Sequence, residues 1–163
     1  MSESFESKLM RWKFNFFPAY RSSGARLTYI ASDFLEMRME LALTSKTRNY
    51  VGTMFGGSMY ASVDPIYMMM LIKILGSDYV VWDKAAVIRF KKPGRSALSA
   101  SFVLSRKELE EIKSLLTVHH SVDRVYNVEL KDKDGTVCAE IEKTLYIRRK
   151  DHGQSFQIRK NEI

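Results

Sequence analysis

Cysteine occurs once in this sequence, at position 138, and histidine and proline three times each. A lone thiol excludes an internal disulfide, so nothing argues for secretion; in a strand with no paired histidine nearby, Cys138 is expected to be a core residue. His119 and His120 are adjacent where a strand should start and so point to opposite faces, and His152 stands far off in the tail. No metal set forms, and neither metal nor cofactor is expected. There is no G-x-S-x-G motif, which removes the usual serine hydrolase chemistry. No RNP-like stretch, zinc-finger spacing or helix-turn-helix pair accompanies the net charge of +7, so no nucleic-acid partner is expected. The opening MSESFESKLM holds two acidic residues and no long apolar core. It reads poorly as a signal peptide, and a cytoplasmic protein is expected.

The one long apolar run follows Gly57 and approaches the ~20 residues of a membrane-spanning helix. It also contains Asp64, Pro65 and Lys73. A carboxylate at the bilayer midplane costs roughly 3 kcal/mol, so the run reads as a buried helix and no membrane span is expected. The composition, 45% hydrophobic and 28% charged, is that of a folded chain with a real core.

Phe5, Leu9, Trp12 and Phe16 recur at helical spacing within residues 1–20, and Pro18 should end that helix. Packing onto the domain is the default for so short a stripe, with a membrane-surface helix as the other possibility. Leu27, Tyr29 and Ala31 alternate, and Leu35, Met37, Met39, Leu41 and Leu43 alternate with charged residues, which predicts two strands. A helix follows from Gly57 to Leu75, stopped by Gly76. Tyr79–Lys91 reads as a long strand and Leu98–Leu104 as another. Ser105 and Glu108 form a capping box ahead of a short amphipathic helix, and two final strands flank the Asp134-Gly135 turn. The fold class is therefore α+β: one domain over 1–163, with an N-terminal helix, a long central helix, a curved, mostly antiparallel five- to six-stranded sheet and a basic C-terminal tail at 151–163.

Asp64, followed by Pro65, supports two readings. Asp is a favoured N-cap and Pro a favoured first helical residue, so the pair could restart a broken helix. With Tyr60 and Met68 one turn to either side, the carboxylate should also lie in dry surroundings that raise its pKa and reactivity. Gly56 and Gly57 serve either a tight helix entry or the close approach of a substrate to free N–H groups. Asn49 is either a turn residue or part of a site.

Asn49 stands six residues before Phe55-Gly56-Gly57, and Asp64 nine after Phe55. In this the chain resembles the hotdog-fold thioesterases of the phenylacetate-pathway type, whose signature is Asn, then His-Gly-Gly, then a catalytic Asp along the central helix. The element order agrees across about Leu35–Arg149. GTMFGG, YVVWDKAAVIRFKKPGR and KTLYIRRK are most similar to a poorly characterised branch of that superfamily. The resemblance implies hydrolysis of acyl-CoA thioesters. Gly57 or Gly56 would donate a backbone N–H to the thioester carbonyl, Asp64 would act as base or nucleophile, and Asn49 would position water or the loop. Met54, Phe55, Tyr60, Met68 and Trp82 would line the substrate site, with the acyl chain in an apolar tunnel along the helix. Arg89, Lys91, Lys92 and Arg95 would meet coenzyme A phosphates. Sites of this kind lie between subunits, which implies a homodimer or dimer of dimers. Two departures stand out. Phe55 replaces the family histidine. Asp83, near the place of an assisting Ser or Thr, is either a second carboxylate, facing Asp64 across the dimer, or the partner of Lys84 in an ion pair. A non-catalytic acyl-CoA or lipid-binding module on the same fold is the alternative function.

Overall fold

The computed structural model of the chain describes residues 2–150; the tail expected at 151–163 lies outside them. Six strands form one antiparallel sheet: β1 (Ala25–Ile30), β2 (Glu36–Leu41), β3 (Tyr79–Phe90), β4 (Leu98–Val103), β5 (Ser121–Lys131) and β6 (Val137–Arg149). Their spatial order is β1-β2-β4-β5-β6-β3, so β3 is an edge strand although it lies mid-chain. The predicted alternation is realised in β2 and β4, where Met37, Met39 and Leu41 face the core with Leu98, Ala100 and Phe102.

The central helix covers the inner face in two segments, α3 (Gly56–Val63) and α4 (Ile66–Leu75). Together they form the long central helix expected from Gly57 to Leu75, interrupted at Asp64-Pro65. Pro65 has no N–H to give the Ala61 carbonyl, and its ring crowds that carbonyl, so the helix breaks at Asp64-Pro65. The buried side chains of both segments complete the core; Tyr67 stacks on Tyr126 at 4.6 Å and meets Phe102 edge-on at 5.1 Å.

Two helices precede the sheet, α1 (Phe5–Phe16) and α2 (Pro18–Ser22). The first stops before Pro18 as expected. Pro18 then opens a second short helix, because its fixed φ suits the first helical position. The Tyr20 hydroxyl, its pKa pushed up by burial, donates to the Ser62 carbonyl at 3.2 Å and ties α2 to the break in the central helix. The stripe of α1 does not pack on the domain. Ser7, Met10 and Phe14 face inward instead, while Phe5, Leu9, Trp12 and Phe16 are exposed.

Between β4 and β5 runs α5 (Arg106–Val118), whose Ser105 cap accepts from the Glu108 N–H at 3.1 Å. The Glu108 side chain does not complete a capping box. It takes a two-pronged contact from Arg124 (2.6 and 2.9 Å) and a hydrogen bond from the Tyr126 hydroxyl (2.9 Å), clamping α5 to β5. The Arg124 guanidinium holds the Glu108 carboxyl below its ordinary value of 4.5. Its contribution to stability is therefore complete above that value and lost as pH falls through the folded-state pKa. Glu108→Gln is expected to cost roughly 1.5–3 kcal/mol at neutral pH, with the gap to wild type closing in acid, as urea melts at both pH values would read.

Candidate active site

The loop before α3 is organised by Asn49. Its Oδ1 accepts from the N–H groups of Val51 (3.1 Å) and Thr53 (2.9 Å), and its Nδ2 donates to Thr53 Oγ1 at 2.9 Å. The loop delivers Phe55 as the N-cap of α3 without a side-chain cap, so the first N–H groups of the helix keep no intrahelical acceptor. Neither glycine has a positive φ; each makes room for an aromatic ring. A Cβ on Gly57 would lie 2.3 Å from the Phe55 ring, and one on Gly56 2.7 Å from Phe90. A cavity of about 360 Å³ opens here, and it brings together Asn49, Met54, Gly56, Lys91 and Lys92. Arg89 and Arg95 are exposed but do not line it, and Lys91 is also paired with Glu140 at 2.9 Å.

Two turns along the helix axis, Asp64 does not cap a helix with its side chain. It ends α3 in helical geometry, and the following segment has no side-chain cap. Its Oδ1 accepts from the Tyr60 hydroxyl at 2.7 Å and from the Lys143 ammonium at 2.5 Å. The same ammonium lies 2.9 Å from Asp83 Oδ1, an ion pair without the alignment of a hydrogen bond. Lys143 is buried; Asp64, by contrast, has a side chain 40% exposed, so the dry enclosure expected around it is absent in the single chain. Burial pushes the Asp83 carboxyl up against the pull of Lys143, and Asp64 adds to the rise. Burial would lower the Lys143 ammonium, but its two carboxylate partners prevail and hold it above the ordinary range. Burial, then the bond to Asp64, raises the Tyr60 hydroxyl.

Asp83 thus shares Lys143 with Asp64 within one chain. It is not paired with Lys84, which reaches Asp123 at 2.6 Å. Successive residues of a strand face opposite sides, so Asp83 turns to Lys143 and Lys84 to Asp123, and the register of β3 shifts between Asp83 and Ala85. Trp82 is half exposed and stacks on Tyr146 at 5.7 Å, away from this cluster. Sequence reasoning missed Lys143, although a signal existed. In β6, Ala139, Ile141, Leu145 and Ile147 are all buried, and Lys143 occupies the same parity.

A second cavity, about 690 Å³ and mostly apolar, lies between α1–α2 and the central helix. Met10, Phe14, Phe17, Pro65, Met68 and Met69 are among its walls, and Asp64 and Lys13 are its charged members. Asp64 and Met68 therefore belong to this cavity, and Asn49, Met54 and Gly56 to the other. No group of three or more His, Cys, Asp or Glu side chains suited to a metal converges among the described residues.

Removing the ammonium would leave two carboxylates facing each other. Lys143→Met is expected to destabilise the fold by on the order of 3 kcal/mol at neutral pH. Because the freed carboxylates favour protonation, the loss should shrink as pH falls. Adding Asp83→Asn should recover much of the stability, and thermal melts across pH check both effects.

The sequence matches a family model, described as a domain of unknown function (DUF4442), over residues 6–147. No curated protein gives a significant match. Among solved structures, a Pseudomonas aeruginosa protein of unknown function, described as a probable thioesterase, superposes with a TM-score of 0.76 at 17% identity, covering 88% of this chain and 95% of its own. A Haemophilus influenzae thioesterase gives 0.67 at 15% identity, covering 93% and 97%. A Chlorobaculum tepidum protein of unknown function gives 0.71 at 12%, covering 89% and 95%. At such identities the likeness establishes the fold alone, the hotdog fold of a long central helix against an antiparallel sheet. The chain belongs to the DUF4442 family.

Proposed function

We propose that the protein hydrolyses acyl-CoA thioesters, with Asp64 as the carboxylate that activates water. The observation that carries this reading is the position of Asp64: it is the carboxylate on the wall of an apolar cavity of about 690 Å³, a size suited to a drug-sized or acyl ligand. Lys143 and Tyr60 both engage Oδ1, which fixes the carboxylate and leaves Oδ2 to take a proton from water. Water adds to the thioester carbonyl, the carbon–sulfur bond breaks, and the proton passes to the departing thiolate, giving acid and free coenzyme A.

The oxyanion donors are the free N–H groups at the start of α3. Eight residues separate Gly56 from Asp64, about 12 Å along a helix axis, too far for both to grip one carbonyl. A second copy supplies the missing half in this reading. Edge strand β3, with Trp82, Val87 and Phe90 exposed, is the surface on which a homodimer would form. The lysines at the smaller cavity, Lys91 and Lys92, would then meet the phosphates of coenzyme A. No helix among the described residues is long and apolar enough to cross a membrane.

One observation favours the second reading, a binding module without turnover. The Phe55 ring lies over Gly57, shielding the N–H groups a substrate carbonyl would need. The test is free-thiol release from short, medium, long and aromatic acyl-CoAs by wild type and Asp64→Asn, with acyl-CoA binding measured alongside. The expected outcome is turnover by wild type and a loss of about 100-fold or more in kcat for the variant, with binding retained. Binding without turnover would establish the module; turnover indifferent to Asp64→Asn would remove the carboxylate from the mechanism.

A further inference from the structure

Helix α1 is apolar on two opposite sides. Ser7, Met10 and Phe14 face the domain. Phe5, Leu9, Trp12 and Phe16, at spacings of four, three and four, form a line on the other side, and Phe5, Trp12 and Phe16 are 83%, 58% and 56% exposed. Phe17, just past the helix end, extends the patch. No described residue covers it, and Trp12 and Phe16 rest on each other at 4.8 Å. Lone exposed apolar side chains are ordinary, but a continuous aromatic stripe is not.

The charges beside the stripe are mainly basic, and the one carboxylate near its Lys13 flank, Glu6, is paired with Lys73. At 100° per residue, Lys8 and Lys13 stand on its two flanks. Arg21 lies 5.9 Å from the Phe16 ring. The acidic residues of the same segment are engaged elsewhere: Glu3 is held by Arg11 at 2.8 Å and Glu6 by Lys73. Aromatic side chains framed by lysines are the composition of a helix lying in a membrane interface, where rings sit at headgroup level and ammonium groups meet anionic lipid. A symmetric pairing of this stripe with that of a second copy would instead set lysine rims against lysine rims.

We infer that the outer face of α1 docks on the surface of an anionic lipid bilayer. The 690 Å³ cavity opens beside this face, with Lys13 and Phe17 on its wall, so a chain rising from the bilayer would reach it directly. The inference concerns location and stands whether or not thioesters are cleaved.

The test uses the full chain and two vesicle types, phosphatidylcholine alone and phosphatidylcholine with one third phosphatidylglycerol, read by flotation. Wild type should bind the mixed vesicles in preference to the neutral ones and release as salt rises. Trp12→Ser with Phe16→Ser should weaken binding at least about tenfold, since each ring buries one large apolar side chain in the interface. Lys8→Glu should weaken binding to the anionic vesicles about fivefold or more, the value of a single basic residue near such a surface. All three side chains are exposed, so thermal melts should not change. Wild type that floats with neither vesicle, or variants that bind as wild type does, would overturn the inference. So would sedimentation equilibrium showing self-association that the double variant abolishes, which would assign the stripe to a second copy.

Discussion

The ammonium of Lys143 lies between Asp64 and Asp83, and much of the site's geometry hangs on that contact. An ammonium in the core costs several kcal/mol in lost hydration, and it is tolerated only where carboxylates and a polar neighbour replace the water. Asp64 comes from the break in the central helix, Asp83 from the bulge of β3, and Lys143 from the inward face of β6. The contact thus joins helix, edge strand and central sheet at one point. It also fixes Oδ1 as the oxygen of Asp64 that takes the ammonium. The cluster carries one more carboxylate than cation, and in Asp83, the more enclosed of the two, burial first and the Asp64 charge second raise the pKa against the pull of Lys143.

Much of this was legible in the sequence, and the failures have physical causes. Strands were readable because period-two alternation reports the parity of burial directly, and β2, β4 and β6 follow it. The same parity places Lys143 in the core. The helix stripe failed differently. Periodicity finds a face, but a helix with apolar residues on two sides does not say which side turns inward. Phe5, Leu9, Trp12 and Phe16 made the bulkier stripe, yet the smaller set of Ser7, Met10 and Phe14 fits against the fold. For Asp64-Pro65, the break in the helix was foreseeable from Pro65, whereas the cation that pairs with Asp64, Lys143, lies 79 residues away in sequence and left no local mark.

The glycine pair shows how one pattern can satisfy two demands. Gly56 and Gly57 were read as either a tight helix entry or room for a substrate, and in the structure the space beside them is taken by Phe90 and Phe55. Aromatic cover and access are not contradictory. Phe55 and Phe90 are both half exposed, and each ring turns about two side-chain torsions.

Helix geometry then limits how the parts can cooperate. The start of α3 and the break at Asp64 are joined by rigid helical backbone, so no loop motion within one chain can bring the N–H donors to the carboxylate. Chemistry that needs both must take one from each of two helices running in opposite directions, as a twofold axis would arrange. Within the proposed reading, the exposed side chain of Asp64 is the surface that a second copy would complete. The cavity beside Asp64 is bounded on its far side by α1 and α2, which belong to the same chain. Within the proposed reading, the acyl end of a substrate is thus recognised by one subunit while the thioester is polarised by the other.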